Sequence, residues 1–457
     1  DIPLDHAEDT RLKGSVTMLE RDAASLRLNP SVPMFAALQG SIGFTETDLQ
    51  VKAKARVWGH AVDVDGRRTS DGATRFVAQG SMSAEGLRQA SEFPFVQKLA
   101  QRFTGEAPVT VNVTMGKQDA QGKRALPEVQ IISNLQGMAT NLPTPLNKPA
   151  AAVWPLKVTH RQEDEQGLSD AILVDLGNPQ ALQMTSNTVP WLRVDLRRDT
   201  SGEQARVSRG LISLVQAGLN EATGLQSLPA KGVAAQIAMP TLDLDAWSGV
   251  LALFKSNEPV RGLAASSVDA SETYLPDNVS VKTATLICQQ RTLKDVSGTL
   301  AHPSPGVWRA QVESQQVAGQ IEWMPETAPV AGVSGNSRVV ARLSRLSVPA
   351  AEAQALEERA TEQMLSSDAS AGSLPALDVV IDQLEWRGLP LGRLEVEAVN
   401  RQVFVSGSAP VPEWRMTKLR MSSPEAQLNA TGNWTALGAQ SATRRPGVKL
   451  KPRSAFA

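Results

Sequence analysis

Hydrophobic and polar residues alternate one by one along much of this chain. In the stretch LQVKAKARV, residues 49–57, each odd position is apolar and each even position carries an amide or a positive charge. Because successive side chains of a β-strand point to opposite faces, this pattern predicts a strand with one apolar and one solvated face. The apolar positions are Leu49, Val51, Ala53, Ala55 and Val57.

The same alternation recurs between turns that contain Gly, Pro, Asn or Asp. The stretch VTVNVTM, for example, places Val109, Val111 and Val113 on one side. Strands of this kind predict a mainly β protein, built on an antiparallel sheet of many strands with one apolar face. Further alternating segments lie at 192–196, 280–287, 338–346 and 392–399.

Helical patterns are few and short. Two short helices are expected after Ser83 and from Pro94, and a segment rich in Ala, Glu and Gln predicts a connecting helix at 349–367. The stretch DLDAWSGVLALF predicts a helix at 243–254, and we expect these amphipathic helices to cover or plug the sheet. The residues expected on one side of the helix at 243–254 are Leu244, Trp247, Leu251 and Phe254.

The last third of the chain contains an internal repeat. Each copy runs from Leu-Pro through alternating strands to Trp-Arg, and then to a strand in which Gly precedes Trp. Repeated β-units favour an extended array over a closed globule. The anchors are Leu275, Pro276, Trp308, Gly319 and Trp323 in one copy, and Leu374, Pro375, Trp414, Gly432 and Trp434 in the other.

These patterns predict five segments along the chain. The first, 1–240, is a β-segment, and the second, 241–348, is a helix followed by the first repeat. The connecting helix and a loop occupy 349–373, and the second repeat occupies 374–438. A basic tail follows at 439–457. Because the chain starts without Met or a signal peptide and ends in this tail, we expect it to be a truncated piece of a longer protein.

The composition of the chain argues against nucleic-acid binding, disulfide bonding and membrane-spanning helices. The chain has 457 residues, of which 46 are basic and 47 acidic, so no nucleic-acid partner is expected. Cys288 is the only cysteine, which excludes an intrachain disulfide. No apolar run reaches about 18 residues, the length that a membrane-spanning helix requires.

Candidate chemistry is sparse. The four histidines, His6, His60, His160 and His302, show no metal-ligand spacing, and each is interpreted as a turn or strand-surface residue. The acidic residues at 163–165 are interpreted as part of a solvated turn. The sequence has no G-x-S-x-G motif, which would indicate a catalytic serine. We therefore expect no enzyme activity, no cofactor and no metal.

One segment carries a more specific pattern. Within 131–158, a strand ends in Leu-x-Gly and is followed by Leu-Pro-x-Pro-x-x-Lys-Pro and a returning strand. Together with Asp-Leu-Asp-x-Trp at 243–247 and the strands in which Gly precedes Trp, this segment resembles the YhdP family of AsmA-like envelope proteins, over about 40–435. The residues that match the segment's motif are Leu135, Gly137, Leu142, Pro143, Pro145, Lys148 and Pro149.

The resemblance implies a long, curled, antiparallel β-groove with an apolar interior, which carries phospholipids between the inner and outer membranes of the bacterial envelope. It implies a periplasmic location, support of the outer-membrane permeability barrier, an inner-membrane anchor in full-length relatives, and membrane partners reached through termini that this chain lacks. The candidate groove residues are Leu49, Val51, Ala53, Val57, Val109, Val111, Val113, Trp154, Leu156 and Val158.

Two other hypotheses remain open at this stage. The same strands could form a structural β-sandwich array without a lipid ligand, and an enzyme acting on glycans is a third possibility. A sandwich buries its apolar positions completely, whereas a groove leaves a continuous apolar strip accessible.

Overall fold

A computed structural model describes residues 13–19, 25, 35–45, 47–70, 72–91, 93–116, 126–177, 192–202, 205–216, 227–254, 273–304, 306–324, 337–354, 358, 374–403 and 411–435. Strands make up 66% of the described residues, which confirms the prediction of a mainly β protein. The chain divides into two units. Unit 1 contains Asp1–Met239 and Asp243–Pro276, and unit 2 contains Pro240–Leu242 and Asp277–Ala457.

Unit 1 is an open, curled sheet. Its strands are β1 (Lys13–Met18), β2 (Ala36–Thr45), β3 (Leu49–Val57), β4 (His60–Arg68), β5 (Thr74–Ser83), β6 (Phe103–Met115), β7 (Glu128–Ser133), β8 (Met138–Thr140), β9 (Leu156–Gln162), β10 (Ser169–Leu176), β11 (Leu192–Asp199), β12 (Arg206–Val215) and β13 (Gly232–Asp243). Neighbours from β1 to β7 pair in chain order, and β7 then pairs with β9. The order continues through β10, β11 and β12 to β13.

Unit 2 is a second run of neighbouring strands. They are β14 (Asn278–Cys288), β15 (Arg291–Ser304), β16 (Val307–Glu313), β17 (Val317–Met324), β18 (Arg338–Val348), β19 (Ala376–Trp386), β20 (Leu389–Val403), β21 (Val411–Ser422) and β22 (Gln427–Thr435). Each pairs with the next in chain order.

The pairing departs from the antiparallel prediction at two places. β12 with β13 and β18 with β19 are parallel, whereas the other strand pairs described above are antiparallel. A parallel neighbour needs a long crossover that returns the chain to the same end of the sheet, and hairpin turns cannot provide it. The crossover between β18 and β19 includes helical residues at 350–354, and most of the helix predicted at 349–367 lies outside the described residues.

The helices are short, as predicted. Besides the helical residues at 350–354, the structure has α1 (Ala84–Arg88), α2 (Pro94–Leu99) and α3 (Leu244–Leu251), and single turns of 3-10 helix follow at Ala100–Arg102 and Ala252–Phe254. Ser83 caps α1 by accepting a hydrogen bond from the Gly86 amide, and Asp243 caps α3 by accepting one from the Ala246 amide. These caps fix where the helices leave the ends of β5 and β13.

The main buried cluster of unit 1 lies where α1 and α2 meet the segment 134–155, which we call the elbow. Leu87, Ala100, Leu135, Met138 and Trp154 are all buried there. Leu156 and Leu176, at neighbouring ends of β9 and β10, pack against the same cluster. The helices and the elbow therefore cover one end of these strands.

The packed side of α3 differs from the prediction. Val250 and Phe254 are buried beside Leu142, and Trp247 packs partly buried against them, but Leu244 and Leu251 are exposed. The helix ends at Leu251 and tightens into a 3-10 turn, which turns Phe254 rather than Leu251 towards the cluster. This packing assigns α3 to unit 1, whereas the predicted segments placed it with the first repeat.

Most of the elbow lies outside the sheet, but one short strand within it pairs with the sheet. Its prolines lie outside strands, as expected for residues that cannot donate a backbone hydrogen bond, but β8 within the elbow pairs with the first residues of β6. Gly137 has φ of 99° beside this pairing, and a Cβ there would collide with the carbonyl oxygen of Glu106. Glycine is therefore required where the elbow crosses β6.

Lys148 holds the elbow together from inside. Its side chain is buried, at 1% exposure, and its Nζ donates to the carbonyl oxygens of Leu135 and Met138, each at 2.7 Å, and of Pro149 at 3.2 Å. Burial lowers the pKa of Lys148 below its ordinary value. All three ammonium donors thus bind backbone carbonyls that converge from both arms of the elbow.

We expect the substitution Lys148→Met to destabilise unit 1 by about 2–3 kcal/mol, because it keeps the side chain's length but removes the cation from buried carbonyl oxygens. Guanidinium unfolding followed by tryptophan fluorescence would measure this loss. Lys157→Met is the matched control, because Lys157 is exposed on β9, and its change should stay within about 0.5 kcal/mol. Equal stability of the two variants would contradict the structural role of Lys148.

Candidate functional site

The registers of unit 1 align apolar side chains from strand to strand. Directly opposed residues of an antiparallel pair share a face, so a chain of opposed residues follows one face from strand to strand. Ile42 opposes Val51, and Val64 opposes both Ala53 and Ala78. We call this surface the apolar face. Its pairing continues through Val111, Ile131, Val158, Val174, Val194 and Ile212.

The apolar face is accessible along part of its length. Val51, Val111, Ile131 and Val158 are half-buried rather than buried. A second sheet packed over them, as in a sandwich, would remove these side chains from water. Their exposure therefore favours an open groove over the sandwich hypothesis.

The opposite face is polar. Lys52, Lys54 and Arg56 are exposed on β3, and Lys54 lies 3.9 Å from Asp63 on β4, with both side chains more than 70% exposed. The sheet therefore separates an apolar from a solvated surface.

Two aromatic rings of the apolar face lie next to glycines of the neighbouring strand. A Cβ on Gly66 would come within 2.5 Å of the ring of Phe76 on the neighbouring strand, and one on Gly14 would come equally close to the ring of Phe44. The absence of a side chain on these glycines lets each ring rest against the neighbouring backbone. The face is thus lined by hydrocarbon without a polar side chain at these points.

A buried ion pair lies on the apolar face towards the end of β11. Arg198 opposes Asp170 on β10, and both are 2% exposed. The Arg198 guanidinium donates to both carboxylate oxygens of Asp170, at 2.8 and 2.6 Å. His160 on β9 lies beside this pair, with its Nε2 2.8 Å from Asp170 Oδ2. We call these three residues the ion cluster.

The ion cluster keeps Asp170 ionised. Burial raises the pKa of Asp170, but hydrogen bonds from His160 and Arg198 lower it by more, so it lies below its ordinary value of 3.8. Burial also lowers the pKa of Arg198, and its hydrogen bond and attraction to Asp170 raise it overall. A fully paired charge is the form in which such groups tolerate an apolar setting.

Aromatic side chains cover the ion cluster. Arg198 Nη1 lies 3.2 Å from the hydroxyl oxygen of Tyr274, and the Tyr274 ring stacks on Phe95 of α2 with centroids 5.6 Å apart. The other side of Phe95 stacks on Phe254 at 4.7 Å. We call Phe254, Phe95 and Tyr274 the aromatic bar.

Unit 2 repeats the separation of faces. Val312 opposes Gly298 and Gly319, and the apolar face continues through Leu343, Ile381 and Leu394 to Met421. Ion pairs line its other face, among them Arg342–Asp378 at 2.9 Å, Arg393–Asp382 at 2.7 Å and Lys418–Glu395 at 2.8 Å.

The repeat anchors come together in unit 2. Trp308 opposes Trp323 on the next strand, and Trp414 opposes Trp434 in the same way. Trp414 Nε1 donates to the carbonyl oxygen of Pro375, at 2.9 Å, which joins two anchors of the second copy. The sequence repeat thus corresponds to a repeated cross-strand tryptophan pairing.

Most candidate groove residues lie on strands whose registers join them. Leu49, Val51, Ala53 and Val57 on β3, Val109, Val111 and Val113 on β6, and Leu156 and Val158 on β9 occupy the apolar positions of these strands. Trp154 does not, because it precedes β9 and is buried in the cluster beneath the elbow. Leu142 and Pro143 of the elbow line a cleft of about 390 Å³ next to α3.

Sequence reasoning missed the ion cluster. His160, interpreted as a turn or surface residue, contacts a buried carboxylate instead. A signal was present, because His160, Asp170 and Arg198 each fall at a position where the alternation of their strand calls for an apolar residue. Within the described residues no group of His, Cys, Asp or Glu has the arrangement of a metal site. The described helices are all too short or too polar to cross a lipid bilayer.

Comparison with protein families gives a match over nearly the whole chain. The model of a family described as YhdP protein matches residues 1–447, which include the described parts of both units. No curated protein and no solved structure matches the chain significantly.

We expect Asp170→Asn to destabilise unit 1 by about 3–5 kcal/mol at pH 7, because it leaves the buried Arg198 cation without a counter-charge. Asp63→Asn, which breaks the exposed pair with Lys54, should cost less than about 1 kcal/mol. Guanidinium unfolding at pH 7 would compare the two variants, and similar small losses would show that the ion cluster contributes little.

The pH dependence of this difference follows from the lowered pKa of Asp170. A carboxyl group whose folded pKa is depressed stabilises the fold above its unfolded pKa, and this contribution is lost as the pH falls through the folded pKa. The stability gap between the wild type and Asp170→Asn should therefore be constant near neutrality and narrow below the ordinary value of 3.8. A gap that widened in acid would contradict this assignment.

Proposed function

The chain belongs to the YhdP family, and we propose that it carries phospholipids along the apolar face as part of lipid transfer between the two membranes of the bacterial envelope. The observation that supports this most directly is the half-buried state of Val51, Val111 and Val158 on one continuous face. The proposal places the chain in the periplasm and assigns it a part in maintaining the outer-membrane barrier. It assigns no catalytic step to any residue.

Acyl chains would lie against the valine, isoleucine and alanine side chains of the apolar face. Each methylene group removed from water contributes about 0.8 kcal/mol, so a chain of ordinary length binds without a specific contact. The charged headgroup would stay at the open side of the sheet, where water solvates it. Chain length and apolar area, rather than a headgroup pocket, would determine affinity in this part of unit 1.

Movement along the sheet follows from the same surface. Between β2 and β7 the apolar face presents hydrocarbon at successive strands, which are spaced by about 4.8 Å. A lipid that moves from one strand to the next exchanges one hydrocarbon contact for another of similar free energy. No polar bond has to break at each step, so the groove can guide lipids without an energy-consuming reaction of its own.

The proposal predicts that purified protein retains phospholipids, which native mass spectrometry and lipid extraction would detect. Val51→Glu and Val111→Glu should each reduce lipid occupancy several-fold, because each places a carboxylate where acyl chains bind and charge is costly to desolvate.

Gln50→Glu and Thr110→Glu are the matched controls, because they add the same charge one residue away, on the opposite face of β3 and β6. Their lipid occupancy should equal that of the wild type. A stable wild-type protein that retains no lipid and takes up none from phospholipid vesicles would contradict the proposal and favour the structural array.

A further inference from the structure

Three tryptophans of the internal repeat lie at one end of the strands of unit 2. Trp308 is near the start of β16, and Trp323, which opposes it, is near the end of β17. Trp414 lies near the start of β21, at the same end of the sheet. We call these three residues the tryptophan rim. The chain of opposed residues that leads from Trp323 to β21, next to Trp414, passes through Val339, Leu377, Ala398 and Met416.

The tryptophan rim belongs to the apolar face of unit 2 and is accessible. Trp308 shares its side of β16 with Val312, and Trp323 shares its side of β17 with Gly319, because alternate residues of a strand point the same way. Trp323 is 42% exposed, whereas Trp308 and Trp414 are half-buried. The rim therefore presents indole rings to solvent along one edge of an apolar surface.

The apolar face is more buried at the other end of β18 and β19. Val339 and Leu377, next to the rim, are half-buried. Leu343 and Ile381, further along the same strands, are 6% and 3% exposed and belong to one buried cluster. β20 departs from this order, because Ala398 is buried beside the rim. On β18 and β19 the face thus runs from an accessible end at the rim to a buried end.

We infer that the tryptophan rim binds the boundary between the headgroup and the acyl chains of a phospholipid, so that the lipid lies along the strands of unit 2 with its headgroup at the rim. This inference rests on the proposed function and extends it to the orientation of the ligand. The acyl chains extend from the rim towards Leu343 and Ile381. From Leu377 to Ile381 a strand rises about 13 Å, which lies within the length of an ordinary acyl chain.

The chemistry of the indole group fits this boundary. Its ring is a large apolar surface and its N–H is a hydrogen-bond donor, so tryptophan is favoured where hydrocarbon meets a wet polar layer. The ester carbonyl and phosphate oxygens of a phospholipid are acceptors at this depth. An aliphatic side chain at the rim would supply the hydrocarbon contact alone.

The rings of the rim are held in place by their neighbours. The Trp308 ring packs against the His302 ring with centroids 4.6 Å apart, and His302 Nε2 accepts a hydrogen bond from the Gly306 amide at 3.1 Å. Trp414 Nε1 donates to the carbonyl oxygen of Pro375 at 2.9 Å, so Trp414 offers its ring to a ligand. A surface ordered before binding loses less conformational freedom when a lipid arrives.

Fluorine NMR of the full chain labelled with fluorotryptophan would test the orientation, with each resonance assigned by replacing one tryptophan with phenylalanine. The protein is loaded from phosphatidylcholine vesicles in which some lipid carries a nitroxide, either on the headgroup or near the methyl end of an acyl chain. Trp386 is the internal control, because it ends β19 at the opposite end from the rim, on the side of Leu384 in the buried cluster.

The headgroup nitroxide should broaden the resonances of Trp308 and Trp323 more than that of Trp386, and the methyl-end nitroxide should reverse this order. Paramagnetic broadening falls steeply with distance. Because a strand rises about 30 Å from Leu377 to Trp386, the ratio of broadening at Trp323 to that at Trp386 should differ by about tenfold or more between the two probes.

Trp323→Leu removes an indole but keeps an apolar side chain. It should reduce the contrast between the probes at Trp308 by about threefold, as expected for the loss of a hydrogen bond. Trp386→Leu is the matched control, and it should leave the contrast at Trp308 and Trp323 unchanged.

Headgroup-nitroxide broadening that is equal at Trp323 and Trp386, or stronger at Trp386, would overturn the orientation while leaving the proposed function standing. So would broadening confined to the tryptophans of unit 1. An unchanged contrast in Trp323→Leu would overturn the role of the rim. A protein that takes up neither probe would overturn the proposed function itself.

Discussion

The register of the β-ladder is the constraint on which the rest of this structure depends. Side chains of a strand alternate between faces, so a shift of one residue between two strands would move every apolar residue to the polar side. Val51 on β3 and Val111 on β6 reach the same surface only because each intervening pair keeps its register. Backbone hydrogen bonds between strands thus align the apolar face, whereas its hydrophobic surface comes from the side chains.

The separation of faces explains how an open sheet can remain stable in water. The outer side of unit 2 carries ion pairs such as Arg342–Asp378 and Lys418–Glu395, and β3 of unit 1 exposes lysine and arginine. Exposed pairs of this kind contribute little stability each, but they keep the outer side solvated. The apolar side can then remain accessible without the sheet pairing face to face with a second one.

Buried charge occurs in unit 1 at two described places, and in both it fixes a covering element. Lys148 binds the carbonyl oxygens of the elbow, and Arg198 with Asp170 provides the site on which Tyr274 rests. A charge in an apolar setting is stable only in a particular arrangement of partners, so these residues specify geometry more than they add free energy. The elbow therefore has a defined position at the end of β10 that holds Leu176, and Tyr274 has one at the other end, beside Asp170 and Arg198.

The sequence by itself determined the β class, the strands and their apolar sides. The alternation of apolar and polar residues is a local pattern, and it matches the two-residue period of a β-strand directly. The sequence also indicated the family, through the proline-rich elbow. The two parallel pairs, the packed side of α3 and the burial of His160 were decided by tertiary structure. Each depends on which distant segment comes to lie alongside, as Tyr274 lies beside Arg198, and no local pattern encodes that neighbour.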